Sequence, residues 1–423
     1  MLKSSRVINA VPIFYGWVIL VVGTVGTIMM GPSQTFTVAL FITIFIRELG
    51  LSRSTVSLIY GLASFSASMF LPITGRWVDY YGPRRMALGV SACLGMACLG
   101  MGQVNGAMTL FIGMFAIRFL GFGSLQLISN NVIAQWFIRK RGIVMGISGQ
   151  SLAFGLVIFP ALTQYLISQL GWRGAWGVLG VFVWLIMLPV VWLFFRDKPE
   201  QYGLVPDGET LESLQRRDPT AQFTIEENWT LAEARRTGVF WLFAIAVSNM
   251  TMITAGLMFH QLSLFEVRGL SEQSAITAFQ VIAFFSIIGN LGVGRLLDKL
   301  SARFVLTLVL GVQIADILLL QVMSTPLQGM LYAALMGLMS GSYRVIDATV
   351  WAKYFGRQHL GSIRGATMIG VVGSTAFGPY LLGFSYDYFG SYNPLLNTLL
   401  LIPLTICALA GFVKRPQKLG IRN

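Results

Sequence analysis

A pattern of glycine, aspartate and arginine closes two hydrophobic segments that lie 219 residues apart, as Gly75-Arg-Trp-Val-Asp79-Tyr-Tyr-Gly82-Pro-Arg84-Arg85 and Gly294-Arg-Leu-Leu-Asp298-Lys-Leu-Ser301-Ala-Arg303. The same offset relates Gly171-Trp-Arg-Gly, opening one late apolar segment, to Gly390-Ser-Tyr-Asn, opening another. A repeat of this length, built from apolar stretches, restricts the chain to a duplicated helical membrane architecture. Such duplications place a path for small molecules between two halves.

Composition agrees. The 423 residues are 55% hydrophobic and 11% charged, too few charges to keep a soluble surface wet. Apolar runs near twenty residues recur throughout, the length that crosses a bilayer as a helix. The expectation is an all-α membrane protein with twelve spans at 13–33, 54–80, 86–104, 108–131, 142–168, 174–195, 238–264, 273–297, 304–323, 328–352, 362–386 and 393–413. They group as an N-terminal half (1–195), a hydrophilic linker (196–236) and a C-terminal half (237–423).

The net charge of +13 would suit a nucleic-acid partner, but the placement of the 30 Lys and Arg argues otherwise. With both termini cytoplasmic, 24 fall on the inner side, from Lys3 and Arg6 to the basic tail at 414–422, and four outside, Arg47, Arg53, Arg173 and Arg268. That bias is the positive-inside signature, and it leaves no call on nucleic acid. Cys93, Cys98 and Cys407 fall inside spans without histidines at ligand spacing, so no metal or cofactor is expected.

The linker holds nine of the 17 acidic residues together with Pro199, Pro206 and Pro219, which marks it as a partly helical tether outside the membrane. Its end, Trp229-Thr-Leu-Ala-Glu-Ala-Arg-Arg, has the pattern of a capped amphipathic surface helix. Asn228-Trp-Thr is a glycosylation sequon by chance, being cytoplasmic in this topology.

Charged groups inside spans normally face a cavity or a partner, because exposure to lipid costs about 2.5–3.5 kcal/mol at mid-bilayer. Arg118, mid-way along span 4, is either a structural group bonding carbonyls or an anion ligand. Arg344 and Asp347 stand at i and i+3 on span 10, in reach of an ion pair. That pair either secures packing or acts by competition: a substrate carboxylate that takes Arg344 releases Asp347 to bind a proton. Asp316 on span 9 and His260 near the outer end of span 7 are further proton-coupling candidates, each also readable as a packing residue. Asp79 and Asp298, with Arg84, Arg85 and Arg303, can meet helix N-termini and arginines of the opposite half, a gating role.

The two repeated loops, Arg118-x-x-Gly121-x-Gly123 in span 4, and the Gly155…Pro160 and Gly378-Pro379 turns together resemble the major facilitator superfamily. Phe14-Tyr-Gly-Trp, Trp136-Phe, Arg141-Gly142, Trp229-Thr-Leu, Phe240-Trp241-Leu and Tyr354-Phe-Gly-Arg are similar to its monocarboxylate and oxalate/formate branch. The resemblance implies a monomeric carrier in a prokaryotic plasma membrane that moves a small organic anion by alternating access, with protons or by exchange, and whose repeated loops latch the cytoplasmic side. Members of that branch commonly hold substrate through an arginine on helix 8. Here helix 8 has Gln280 and Asn290 and no basic residue before Arg295. Binding is therefore expected at Arg118 or Arg344, with Gln280, Asn290, Tyr343 and Tyr380 as polar company, or else the chain exports lipophilic or weakly charged compounds.

Overall fold

The computed structural model describes the backbone of residues 8, 11–51, 53–208 and 228–410. Lys3, Arg6, the acidic stretch 209–227 with Pro219, and the basic tail at 414–422 lie outside the described residues. In chain order the helices are α1 Gly16–Met29, α2 Thr35–Glu48, α3 Arg53–Tyr81, α4 Pro83–Met101, α5 Ala107–Ile117, α6 Gln126–Trp136, α7 Arg141–Ser148, α8 Ser151–Phe194, α9 Leu231–Ala234, α10 Gly238–Phe259, α11 Gln261–Val267, α12 Glu272–Lys299, α13 Ala302–Val322, α14 Pro326–Phe355, α15 Leu360–Phe389 and α16 Asn393–Ala410. A wider π-helical stretch, Arg118–Leu125, joins α5 to α6.

Among the described residues, nine helical segments are long and apolar enough to cross a membrane by length and composition. One of them, Val157–Phe194, bends at Gly171 (φ 69°) and so serves two spans. Adding α4 and α14, which are as long but carry Arg84 with Arg85 and Arg344 with Asp347, gives an arrangement consistent with twelve.

The duplication is exact to the residue at many boundaries. The helix starts at 53, 83, 107 and 141 recur at 272, 302, 326 and 360, each 219 later. Gly50 and Gly171 adopt positive φ (64° and 69°), and so do their counterparts Gly269 and Gly390 (72° and 65°). Glycine is needed there because a Cβ disfavours that backbone region. Gly50-Leu-Ser and Gly269-Leu-Ser are thus a further copy of the repeat that the sequence reading passed over. In the second copy Ser271 caps α12, its Oγ accepting from the Ser274 amide at 3.2 Å.

Three expectations need correction. Span 1 does not end at 33: Gly31-Pro32-Ser33 form one 3₁₀ turn and the chain continues as α2 to Glu48. Proline there removes a backbone donor, so the helix breaks and restarts. Span 5 is interrupted between α7 and α8 at Gly149-Gln150. The surface helix expected after Trp229 shrinks to the single turn Leu231–Ala234, because Thr237 starts α10 instead, its Oγ1 accepting from Phe240 N at 3.3 Å.

The chain divides into two compact units. Unit 1 holds residues 1–140, 151–230 and 355–369; unit 2 holds 141–150, 231–354 and 370–423. Segment 141–150, which contains α7, therefore packs with unit 2, and its repeat equivalent 360–369 packs with unit 1. Unit 1 encloses a core with Phe41, Phe45, Trp136, Trp176 and Phe195 all buried. In unit 2 an apolar core runs from Ile253 and Leu257 through Ile317, Leu320, Tyr332 and Met336 to Leu396.

Candidate functional site

The repeated aspartates are helix-capping groups. In unit 1, Asp79 accepts from the Gly361 amide at 2.7 Å, from the Ser362 amide at 2.7 Å and from Ser362 Oγ at 2.6 Å. In unit 2, Asp298 accepts from Gly142 N at 2.7 Å and Ile143 N at 2.9 Å. Each carboxylate therefore sits on the first turn of α15 or α7, where exposed N–H groups and the helix dipole favour negative charge. The glycines make the approach possible. A Cβ on Gly75 would collide with the Gly361 carbonyl, and one on Gly294 would come within 2.6 Å of the Gly142 carbonyl oxygen. One turn along, a Cβ on Gly146 would lie 2.6 Å from the Asn290 carbonyl oxygen, and one on Gly365 3.0 Å from the Pro72 Cα. Backbone thus packs on backbone in both copies, the arrangement that small residues permit between membrane helices.

Arg84 of the first loop is engaged within its own unit. The Arg84 amide donates to Asp197 Oδ1 at 2.8 Å and its guanidinium to the Trp192 carbonyl at 2.5 Å, so it fastens the end of α8 within unit 1. Arg85 is exposed and Arg303 half-buried.

Sequence reasoning missed the part played by the linker. Asp207 accepts from three successive amides, Ile138 at 3.0 Å, Arg139 at 2.9 Å and Lys140 at 3.1 Å. Asn228 Oδ1 accepts from the amides of Arg357 and Gln358, both at 3.1 Å. Residues 357 and 358 are the repeat equivalents of 138 and 139, so the two ends of the linker clamp matching loops, the ones that lead into α7 and α15. All of these contacts lie in unit 1. The residue before each loop is held too: Trp136 Nε1 donates to the Arg196 carbonyl at 3.1 Å, and Phe355, its equivalent, packs on the Trp229 ring at 6.0 Å. Asp207 adopts φ 63°, which costs about 1–3 kcal/mol for a non-glycine residue and persists only where the surroundings enforce it.

Arg118 is 1% exposed. It opens the π-helical stretch, donates from Nε to Ser64 Oγ at 3.0 Å and from Nη1 to the Ser33 carbonyl at 3.1 Å, and lies over the Phe122 ring at 4.2 Å and the Tyr60 ring at 5.3 Å. The Ser33 carbonyl belongs to the turn that interrupts span 1, so this arginine braces the break between α1 and α2. A Cβ on Gly121 would lie 2.6 Å from the Ser33 Cβ, which is why the stretch facing that turn needs glycine.

Arg344 has other surroundings. From Met339 to Ala352 every residue of α14 is buried except Arg344, which is half-buried. Its Nε points to Tyr343 Oη at 3.4 Å, and its Cζ is 5.6 Å from the Tyr343 ring centroid. Asp347 Oδ1 accepts from Trp351 Nε1 at 3.0 Å, and the Trp351 ring leans on Phe240 at 5.7 Å. The i, i+3 spacing that suggests an ion pair thus resolves into separate neighbours, an aromatic ring beside the cation and an indole N–H on the carboxylate.

The remaining candidates disperse. Asn290 is buried with its Oδ1 against Gly149, and Gln280, ten residues earlier on α12, is exposed. Tyr380 on α15 is 67% exposed. His260 stands at the junction of α10 and α11, with Nε2 at 2.9 Å from the Pro379 carbonyl and Nδ1 at 3.4 Å from Tyr392 Oη. Asp316 is enclosed on the buried face of α13.

Two copies of a helical repeat, apolar enough to span a bilayer and carrying partly accessible charge within it, define a membrane transport protein. Residues 23–331 match the Major Facilitator Superfamily, and the chain belongs to that family. The MFS-type transporter YhjX of Escherichia coli is 21% identical over 82% of this chain and 83% of its own length. Human monocarboxylate transporter 2 is 28% identical over 39% of this chain and 35% of its own. Among solved structures, the human organic anion transporter MFSD10 superposes with a TM-score of 0.70 at 14% identity, covering 93% of this chain and 99% of that one, a likeness of fold.

Proposed function

We propose that the protein is a secondary carrier for a small, monocarboxylate-like organic anion, with Arg344 as the group that receives the carboxylate. The observation that carries this reading is the half-accessible guanidinium within the otherwise buried stretch Met339–Ala352 of α14, beside Tyr343. A guanidinium in low dielectric attracts a carboxylate strongly and matches it with two parallel N–H groups. The monocarboxylate transporter among the relatives supports the substrate class.

Alternating access then requires contacts that form and break. Asp79 and Asp298 suit that work, because each exchanges bonds to helix N-termini for solvation when its helix moves away. With the basic loops facing the cytoplasm, they latch that side, coupling to a proton gradient or to a counter-anion.

Uptake of labelled mono- and dicarboxylates into proteoliposomes, with and without a pH gradient, tests the reading. Transport of at least one monocarboxylate that Arg344→Lys weakens is the expected result. Normal apparent affinity in Arg344→Lys overturns the assignment, and a carrier that moves neutral lipophilic compounds while ignoring every carboxylate overturns the substrate class.

A further inference from the structure

Helices α4 and α8 of unit 1 pack closely midway along α4, where Trp184 Nε1 donates to the Ala92 carbonyl at 2.9 Å and a Cβ on Gly95 would collide with that indole. Nearer the start of α4 and the end of α8 there is instead a groove of about 370 Å³, lined by Leu88, Leu188, Pro189 and Trp192. Its lining is apolar and it opens outward. Met96 and Leu185, further along the same two helices, are 61% and 69% exposed, so this side of the pair lies against lipid.

The end of the groove is cationic. Arg84, four residues before Leu88, donates from its guanidinium to the carbonyl of Trp192 at 2.5 Å, which fixes its charge at the rim, and its Nε has no hydrogen-bond partner among the described residues. Arg85, three residues before Leu88, is exposed, and Lys198 follows the end of α8. The carboxylate close by, Asp197, accepts from the Arg84 amide at 2.8 Å and so serves the first turn of α4. Three cations stand against one anion. The Trp192 indole, exposed between the apolar wall and the charges, has the amphipathic character that suits the boundary of a membrane.

The second copy of the repeat lacks this feature. Phe304 stands at the position of Arg85, while Thr307 and Cys407 replace Leu88 and Leu188. There Cys407 Sγ approaches the Thr307 carbonyl at 3.9 Å, so smaller side chains meet where the first copy leaves a groove. The duplicated scaffold does not itself require the groove or its second arginine.

We propose that this groove binds an anionic phospholipid from the leaflet beside the basic loops, with an acyl chain along Leu88, Leu188 and Pro189 and the phosphate beside Arg84 and Arg85. An apolar trough on the outer face of membrane helices is reached by lipid, and a basic end selects a negatively charged headgroup. The site is separate from the substrate and coupling proposed above.

Native mass spectrometry of the full-length protein, supplied in detergent with phosphatidylglycerol or with phosphatidylcholine of identical chains, tests the assignment. The wild type should retain phosphatidylglycerol in preference. Arg85→Gln should lower that preference about fivefold, and Arg84→Gln with Arg85→Gln about twentyfold, as each removes one cation near the membrane surface. Pro189→Phe, which fills the groove from an exposed position, should lower retention with both arginines in place. Arg303→Gln, in the second copy, should leave the preference as it is. Added phosphatidylglycerol should raise the Tm of the wild type and not that of the double arginine variant, each judged against its own lipid-free value so that any change in fold stability cancels. Equal retention of the two lipids by the wild type overturns the site. So does a preference that survives the double variant, that Pro189→Phe leaves unchanged, or that Arg303→Gln lowers as much, because the charge then acts on the surface at large. Displacement of the lipid by millimolar inorganic phosphate identifies a site for free anions and overturns the lipid assignment.

Discussion

Arg118 and Arg344 both lie within helical spans, and from sequence they are equal candidates for the same work. The structure surrounds them in opposite ways. Arg118 is enclosed, with its Nε and Nη1 bonded to Ser64 and the Ser33 carbonyl and its Cζ close to the Tyr60 and Phe122 rings. Arg344 is half-buried beside a single tyrosine. A guanidinium whose donors are committed to neutral acceptors holds helices together, whereas one with donors to spare can receive an anion. A charge within a span is therefore informative only together with its neighbours.

The largest expected effect falls on the enclosed side. Arg118→Ala strands the Ser33 carbonyl and removes two charge-assisted hydrogen bonds, a loss of about 3–5 kcal/mol of stability. Thermal unfolding in detergent should show a large drop in Tm, with the break between α1 and α2 exchanging its amide hydrogens sooner. Arg344→Lys should behave in the converse way, with Tm near the wild type and apparent affinity for a carboxylate weakened about tenfold to a hundredfold. If Arg118→Lys changes affinity at unchanged Tm, or Arg344→Lys changes Tm at unchanged affinity, the comparison breaks.

The repeated aspartates sharpen it, because here the two copies have matching surroundings. Asp79→Asn and Asp298→Asn should each weaken the cap by about 1–3 kcal/mol, the difference between a charged and a neutral acceptor on a helix N-terminus. Hydrogen exchange should quicken at Gly361 and Ser362 in the first variant and at Gly142 and Ile143 in the second. Exchange that changes at neither site removes the capping role.

The linker clamps carry the smallest effect. Asp207→Ala should release Ile138, Arg139 and Lys140, and Asn228→Ala should release Arg357 and Gln358, with costs of about 0.5–2 kcal/mol typical of a lost cap. Asp207→Ala should cost more, as it removes a charge serving three amides. Protection of both loops that stays at the wild-type level in the double variant would show that the linker merely rests on them.

Much of the fold was legible in the residues. The helical class, the duplication and most helix limits follow from apolar run length and from glycine, serine and proline at the ends, which are properties of neighbouring residues. Interruptions proved harder: Gly31-Pro32 and Gly149-Gln150 lie within continuous apolar stretches, and hydropathy does not register a missing backbone hydrogen bond. The repeated pattern around Asp79 and Asp298 pointed to helix N-termini, but which helices they cap depends on segments 156 residues apart in one case and 282 in the other. The contribution of Asp207 and Asn228 left no local signal, because an acceptor in a polar linker looks like any other until the chain brings it to unpaired amides. Likewise Arg118, Arg344 and Asp316 are each a single charged letter in an apolar run. Sequence alone determined that these charges had to be accommodated inside the spans; only tertiary structure decided the means, since accommodation depends on which donors, acceptors and rings distant parts of the chain deliver within a few ångströms.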